Sequence, residues 1–258
     1  MEQSLLFEFL EEKYHYYNRP AFIETDPISI PRLFTQREDV EIIGFVMATI
    51  SWGNRRSIIS NGHKLVNYMG QSPYDFVMSY SKTAAQKLKA KKFVHRTFNA
   101  DDLHYFISSI NNIYKNNGGL EAVFASHLQK NDINLKQAIS GFGETFCSSK
   151  APGRTAKHIA KPQQNSAAKR INMYLRWMVR QDHAGVDFGL WKKIKPSLLS
   201  IPLDVHSGRV ARKLGLLERS QNDWKAVEEL DTALRKFDAK DPVKYDFALF
   251  GLGVFENF

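Results

Sequence analysis

The sequence predicts an all-α protein, and three observations carry that prediction. Apolar residues recur at helical spacing along nearly the whole chain, no stretch alternates convincingly with period two, and helix-start and helix-stop residues fall at the ends of the periodic segments. Ser4–Tyr17 has helical periodicity and ends before Arg19-Pro20. The stretch from Pro20 to Thr35 holds Pro20, Pro27 and Pro31 and reads as an extended loop, because proline has no amide hydrogen to give to a helix. Glu38–Trp52 is the most apolar helix and belongs in the core, with Ile42, Ile43, Phe45, Val46, Met47 and Ile50. Arg56–Tyr68 follows and ends at Gly70. Ser72-Pro73 pairs an N-cap with a proline at the first helical position and starts a short helix through Met78. Thr83–Lys92, rich in Ala and Lys, reads as an exposed helix. Asn99 caps Asp101–Tyr114, which stops near Gly118-Gly119.

Further helices are expected over Leu120–Leu128 and Leu135–Phe146. Ser148–Gln164, with Pro152, Gly153 and Pro162, is a basic loop and the best linker. Beyond it lie helices over Ser166–Arg180, Asp204–Leu214, Asp223–Phe237 and Pro242–Phe250. The linker divides the chain into an N-terminal helical lobe, 1–150, and a C-terminal helical lobe, 151–258, with a single compact unit as the alternative. There is no internal repeat and no low-complexity segment.

Composition narrows the function classes. A chain of 258 residues that is 43% hydrophobic can bury a substantial core. Its single cysteine, Cys147, leaves no disulfide framework and no all-cysteine metal cluster, so neither zinc nor an iron-sulfur cluster is expected and the compartment is reducing. Without a signal-peptide pattern or an apolar run of bilayer length, the expectation is a soluble cytoplasmic protein with no membrane partner. No phosphate loop, nucleophile elbow or dinucleotide motif occurs, which ranks a metabolic enzyme low.

Charge is unevenly spread. The chain has 36 Lys+Arg against 27 Asp+Glu, yet Lys150 to Lys213 holds 14 basic and three acidic residues, leaving the remainder slightly acidic. Such a block is the footprint of phosphate-backbone binding, with a solvated basic surface as the alternative. Within it, Pro202 and Asp204 start a short helix that Gly215 stops. Val210, Ala211 and Leu214 share one stripe of that helix and Arg209, Arg212 and Lys213 the opposite one. Asp204, as N-cap, sees the positive end of the helix dipole and is expected to be ionised. In Ser166–Arg180, Ile171, Tyr174, Leu175 and Met178 form the apolar face, which sets Lys169, Arg176 and Arg180 together on the displayed side. Cations around a lysine disfavour its ammonium form, and a neutral amine is the form that attacks a sugar carbon; a solvated or phosphate-bound lysine is the plainer alternative.

Ser166-Ala-Ala-Lys169-Arg170-Ile-Asn-Met and Pro202-Leu-Asp204-Val-His206-Ser-Gly-Arg209-Val resemble the lysine helix and the aspartate segment of the helix-hairpin-helix superfamily of DNA glycosylases, which includes endonuclease III and the 8-oxoguanine glycosylases. Trp224–Arg235 and Tyr245–Gly253 are similar to the helices that follow in that superfamily. In the first lobe, Ala48-Thr-Ile-Ser-Trp-Gly-Asn54-Arg-Arg-Ser resembles the helix and turn that push a side chain into the space left by an extruded base; Asn54 is the matching wedge, or else a helix N-cap. The full chain also resembles an uncharacterised family of bacterial proteins of similar length.

The resemblance implies a two-lobed helical fold with the active-site groove between lobes, and a DNA repair enzyme of base excision repair, located with the nucleoid. It would remove a damaged base, such as an oxidised purine, from double-stranded DNA and cleave the strand as an AP lyase. Lys169 and Asp204 would be catalytic, and Asn54, Arg170, Arg176, Arg180, His206, Arg209, Arg212 and Lys213 would bind DNA. No cofactor and no metal is implied, and the protein is expected to act as a monomer. Trp52, Trp177 and Trp191 are aromatics that would stack on a flipped base, or else belong to the core. The chain departs from the pattern in three places. Pro162-Gln-Gln-Asn-Ser166 replaces the glycine-rich hairpin, Lys169 and Asp204 stand 35 positions apart, and the C-terminal cysteine cluster is missing. A non-catalytic nucleic-acid-binding protein on the same scaffold is therefore the alternative. The sequence leaves open the lesion, DNA against RNA, and the oligomeric state.

Overall fold

The computed structural model describes residues 2–149 and 151–258. Lys150, where the basic block begins and the expected first lobe ends, lies outside them. Among the described residues the fold is all-α apart from one two-stranded ladder and an isolated bridge between Ser166 and Asp223. Among the described residues, no helix is long and apolar enough to cross a membrane.

The chain forms two compact units that do not follow the division at 150. One takes the N-terminal stretch up to Glu24, Gln129–Gln137 and Lys161–Phe258; the other takes Thr25–Leu128 and Ala138–Ala160. The N-terminal helix α1 (Gln3–Tyr17) explains the difference. Its buried Leu6, Leu10, Tyr14 and Tyr17 share a core with Val210, Leu230, Leu249 and Leu252, far along the chain. Gly251 lets α1 come close, since a Cβ there would stand 2.2 Å from the Tyr17 ring.

The prolines of 20–35 produce short helical turns rather than an extended loop. A helix α2 (Ala21–Thr25) is followed by 3-10 turns at Pro27–Ser29 and Pro31–Leu33. Proline is tolerated at the first position of a turn, where its missing hydrogen has no partner to lose. Asp26 supplies the cap, accepting from the Ile28 amide at 3.0 Å.

The second unit then runs through α3 (Arg37–Ile50), α4 (Arg55–Tyr68), α5 (Pro73–Met78) and α6 (Lys82–Ala90). The Ser72 side chain makes no cap bond to α5; the Tyr74 amide donates instead to Asp39 at 2.7 Å. Strands β1 (Val94–His95) and β2 (Phe98–Asn99) pair antiparallel across a two-residue turn, with Arg96 left-handed at φ 53°. Two residues per strand are too few for alternation to reveal. There follow α7 (Ala100–Asn116), with an Asn99–Asp102 capping box, α8 (Leu120–Ser126), α9 (Lys136–Phe146) and the one-turn α10 (Gly153–Ala156) inside the expected linker. Phe45 packs against Phe106, Phe142 and Phe146, Phe146 also meets Phe106, and Phe124 stacks on Phe142 with centroids 4.1 Å apart. Linker residues are tied down too: Thr155 donates to Asp102 at 2.7 Å and Arg154 to the same carboxylate at 3.0 Å.

The first unit resumes with a 3-10 turn at Pro162–Gln164 and then α11 (Lys169–Val179), α12 (Val205–Lys213), α13 (Trp224–Arg235) and α14 (Asp246–Phe255). α14 is almost wholly apolar in its middle, with Phe247, Ala248, Leu249 and Leu252 buried, and both α1 and α12 pack against it.

Candidate active site

The segment Ile201–Asp204 emerges from the core of the first unit with Ile201 and Leu203 buried, and delivers Asp204 to the start of α12. Two residues of α13 fix that segment. Asp231 accepts from the Ile201 amide at 3.0 Å, and Arg235 donates to the carbonyls of Ser197 and Leu199 at 3.2 and 3.0 Å. Asp204 is the N-cap as predicted, and it closes a capping box with Ser207. Its Oδ1 accepts from the amides of His206 and Ser207 at 2.8 and 2.9 Å, while the Ser207 hydroxyl accepts from the Asp204 amide at 2.9 Å. Asn222 adds a brace, donating to the Asp204 carbonyl at 2.9 Å.

The second oxygen, Oδ2, meets Lys169 Nζ at 3.0 Å. Lys169 is the first residue of α11, three positions later than the sequence places the helix start. The delay arises in the preceding turn, where Asn165 and Ala168 both adopt left-handed backbone, φ 64° and 51°. The N-termini of two helices therefore converge on one ion pair. Lys169 is 38% exposed at the side chain and Asp204 only 9%. Burial pushes the Asp204 carboxyl up, but Lys169 and the Ser207 amide outweigh it and hold the group below the ordinary carboxylate range. This environment favours the ionised Asp204 that the N-cap position leads one to expect, with Lys169 first among the groups that favour it.

Arg176 and Arg180 are corrections: they are not displayed beside Lys169. α11 is buried nearly all round, with Arg176 3% and Arg180 0% exposed, and both guanidiniums are neutralised by carboxylates supplied from later in the chain. Arg176 bonds Asp187 at 3.2 Å and also Asp246, with its guanidinium 4.4 Å over the Phe247 ring. Arg180 bonds Asp182 at 2.6 Å, Asp241 at 2.9 Å, Asp187 at 3.1 Å and the Tyr14 hydroxyl at 2.8 Å. Desolvating an arginine is costly unless it is paired, and here the pairing is complete enough to place both inside. The neighbour of Lys169 is a carboxylate, not a cluster of cations. Arg170 is half-buried, and burial lowers its pKa.

The remaining predicted contacts lie on α12. His206 and Arg209 are exposed, Arg209 donating to the Gly253 carbonyl at 2.8 Å. Arg212 is half-buried and donates to the Arg219 carbonyl and to Asn222 at 2.8 and 2.7 Å. Lys213 is exposed, 5.5 Å over the Phe258 ring. Asn54 belongs to the other unit, where its side chain caps α4 by accepting from the Ser57 amide at 3.2 Å. Trp177 and Trp191 are core residues, whereas Trp52 is half-buried and stacks near His158.

Sequence reasoning missed Asp246. It opens α14 inside the network and bonds Arg176, and burial pushes it up to about 6, with Arg176 opposing and Asp204 adding to the rise. Asp246 falls inside the expected helix over Pro242–Phe250, where no local signal marks it.

The molecule is thus an all-α protein with a lysine-carboxylate pair set at two helix N-termini over a buried arginine-aspartate network. The chain belongs to the family described as Protein of unknown function (DUF2400), whose model matches residues 26–255. No curated protein and no solved structure matches it.

Proposed function

We propose that this protein is a DNA glycosylase with AP-lyase activity, which removes a damaged base such as an oxidised purine from double-stranded DNA. The observation that carries the proposal is the 3.0 Å approach of Lys169 Nζ to Asp204 Oδ2, with the amine half-open to solvent and the carboxylate fixed by its cap. Cleaving a glycosidic bond develops positive charge on the deoxyribose, and an ionised carboxylate held rigidly beside it lowers that barrier. Asp204 takes that role. Lys169, having passed a proton to the departing base, bonds through Nζ to C1′ as the base leaves with the bonding electrons, and Asp204 stays ionised throughout. Opening of the C1′–O4′ bond, with O4′ taking a proton from Nζ, gives a protonated Schiff base; loss of a C2′ proton to water expels the 3′ phosphate, and water releases the lysine. His206, Arg209 and Lys213 on the exposed side of α12 hold the phosphates, and the target base leaves the stack before reaction.

A binding protein without catalysis is the second reading, and the turn before Lys169 favours it. The amides of Asn165, Ser166 and Ala168 are used within the turn, on the Pro162 and Lys161 carbonyls and the Ser166 hydroxyl, so they are not held ready for a phosphate. Base-release and strand-nicking assays on duplexes carrying an abasic site, 8-oxoguanine or oxidised pyrimidines separate the two. The glycosylase predicts product on at least one duplex, lost in Lys169→Gln and Asp204→Asn; salt-sensitive binding with no product on any duplex supports the binding protein.

A further inference from the structure

We propose that Arg176 and Asp246 are positioning residues that set Lys169 against Asp204, with α14 as the rigid spacer between the two helices that carry them, an inference that rests on the glycosylase reading of that pair. Arg176 lies seven residues after Lys169 on α11, so both fall on one stripe two turns apart. A slide or rotation of α11 resisted at Arg176 is therefore resisted at Lys169 as well. Asp246, the first residue of α14, bonds Arg176 and fixes α11 to that end of the spacer.

Gly253 lies seven residues after Asp246, about 10 Å along α14 at helical rise. It fixes α12 to the other end. A Cβ at 253 would stand 3.0 Å from His206 Cβ and 3.1 Å from the His206 carbonyl oxygen, so α14 and the first turn of α12 are already in contact. Arg209 donates to the Gly253 carbonyl at 2.8 Å and locks the same junction. The chain thus runs from Lys169 through Arg176, Asp246, α14 and Gly253 to the turn that Asp204 caps.

The choice of residues supports positioning over bulk stability. A buried ion pair commonly contributes no more to stability than apolar residues of similar volume, whereas its directional bonds fix register. Asp246 also feels the site directly. Burial is the main cause of its raised pKa, with Arg176 opposing, Asp204 adding and Lys169 opposing, so all four groups share one field with Asp187.

The test uses the full-length protein with Arg176→Met/Asp246→Leu, which replaces the pair by apolar volume, and Asp246→Asn, which keeps shape and removes charge. Two reporters are followed in each folded variant, with duplex affinity as the control. One is the lysine ammonium NMR signal that disappears in Lys169→Gln, a reporter of the ion pair that needs no activity. The other is the rate of borohydride-trapped adduct on an abasic duplex, beside duplex affinity. Positioning predicts that the Lys169 ammonium signal shifts or broadens away and that the trapping rate drops about tenfold to a hundredfold, with affinity unchanged. A folded variant whose ammonium signal and trapping rate match the parent overturns the proposal. If the parent itself forms no adduct, the lyase reading fails, while the ammonium signal still decides whether Arg176 and Asp246 position Lys169. Should the double variant not fold, Asp246→Asn decides alone. Failure of both variants to fold would assign the pair to stability and overturn the proposal too.

Discussion

Lys169 Nζ and Asp204 Oδ2 stand 3.0 Å apart, and each residue opens a different helix. The carboxylate is well placed for its own helix, since an N-cap Asp both bonds orphan amides and complements the dipole. The lysine is not, because a cation at the first position faces the positive end of α11. Its partner offsets that cost. A polar pair kept in a locally unfavourable position, partly open to solvent, fits the reaction proposed for it.

Asp204→Asn separates the cap from the chemistry. Asparagine caps about as well as aspartate, so thermal unfolding should shift by no more than about 1 kcal/mol. Base release should fall by about a hundredfold or more, because the stabilising charge is gone. Equal losses in both measurements would make Asp204 a structural cap only.

Arg180→Ala and Arg209→Ala should behave oppositely. Arg180 is fully buried among Asp182, Asp187 and Asp241, and its removal leaves carboxylates unpaired in the core, at a cost of about 3–5 kcal/mol in denaturant unfolding. Arg209 is exposed apart from its bond to the Gly253 carbonyl, so its loss should cost only about 1 kcal/mol while reducing the salt dependence of DNA affinity by about one phosphate. Comparable effects on DNA binding from both variants would contradict the inward placement of Arg180.

Gly253→Ala should loosen the junction between α14 and α12. The added methyl meets the His206 backbone and Cβ at about 3 Å, and relief requires a helix shift, which costs about 1–3 kcal/mol. Melting temperature and base-release rate should fall together. An unchanged melting temperature would mean that the contact gives way without moving α12.

Asp231 predicts a pH dependence of stability. Burial, opposed by Arg235 and the Ile201 amide, pushes its carboxyl from 3.8 up to about 6. A raised folded-state pKa means the folded protein binds this proton more tightly than the unfolded chain, so the contribution of Asp231 improves as pH falls from about 6 towards 4. The shift corresponds to about 3 kcal/mol. Urea midpoints of the parent and Asp231→Asn, compared at pH 7.5 and 4.5, should therefore move in favour of the parent at the lower pH. A constant difference between the two proteins would show that Asp231 titrates normally.

Much of this was legible in the sequence. Helical periodicity located the long helices, and Asn99, Asp204 and Asp223 each cap as their residue types suggest. Lys169 and Asp204, 35 positions apart, do meet. What failed was the inward or outward sense of charged residues. Helical spacing identifies which residues share a stripe, but the partners that buried Arg176 and Arg180 come from Asp182 to Asp246, and only the tertiary fold brings them together. Asp246 was hidden for the same reason, since its meaning depends on Arg176. The Pro20–Thr35 turns were missed because proline at a turn start and proline in an extended loop leave the same local signal.

The most direct test is borohydride trapping on an abasic-site duplex, followed by peptide mapping of the protein by mass spectrometry. The account predicts a covalent adduct carried by the peptide that contains Lys169 and absent from Lys169→Gln, with Lys169→Gln still binding the duplex. An adduct on a different lysine, or none on any duplex that the protein binds, would contradict it.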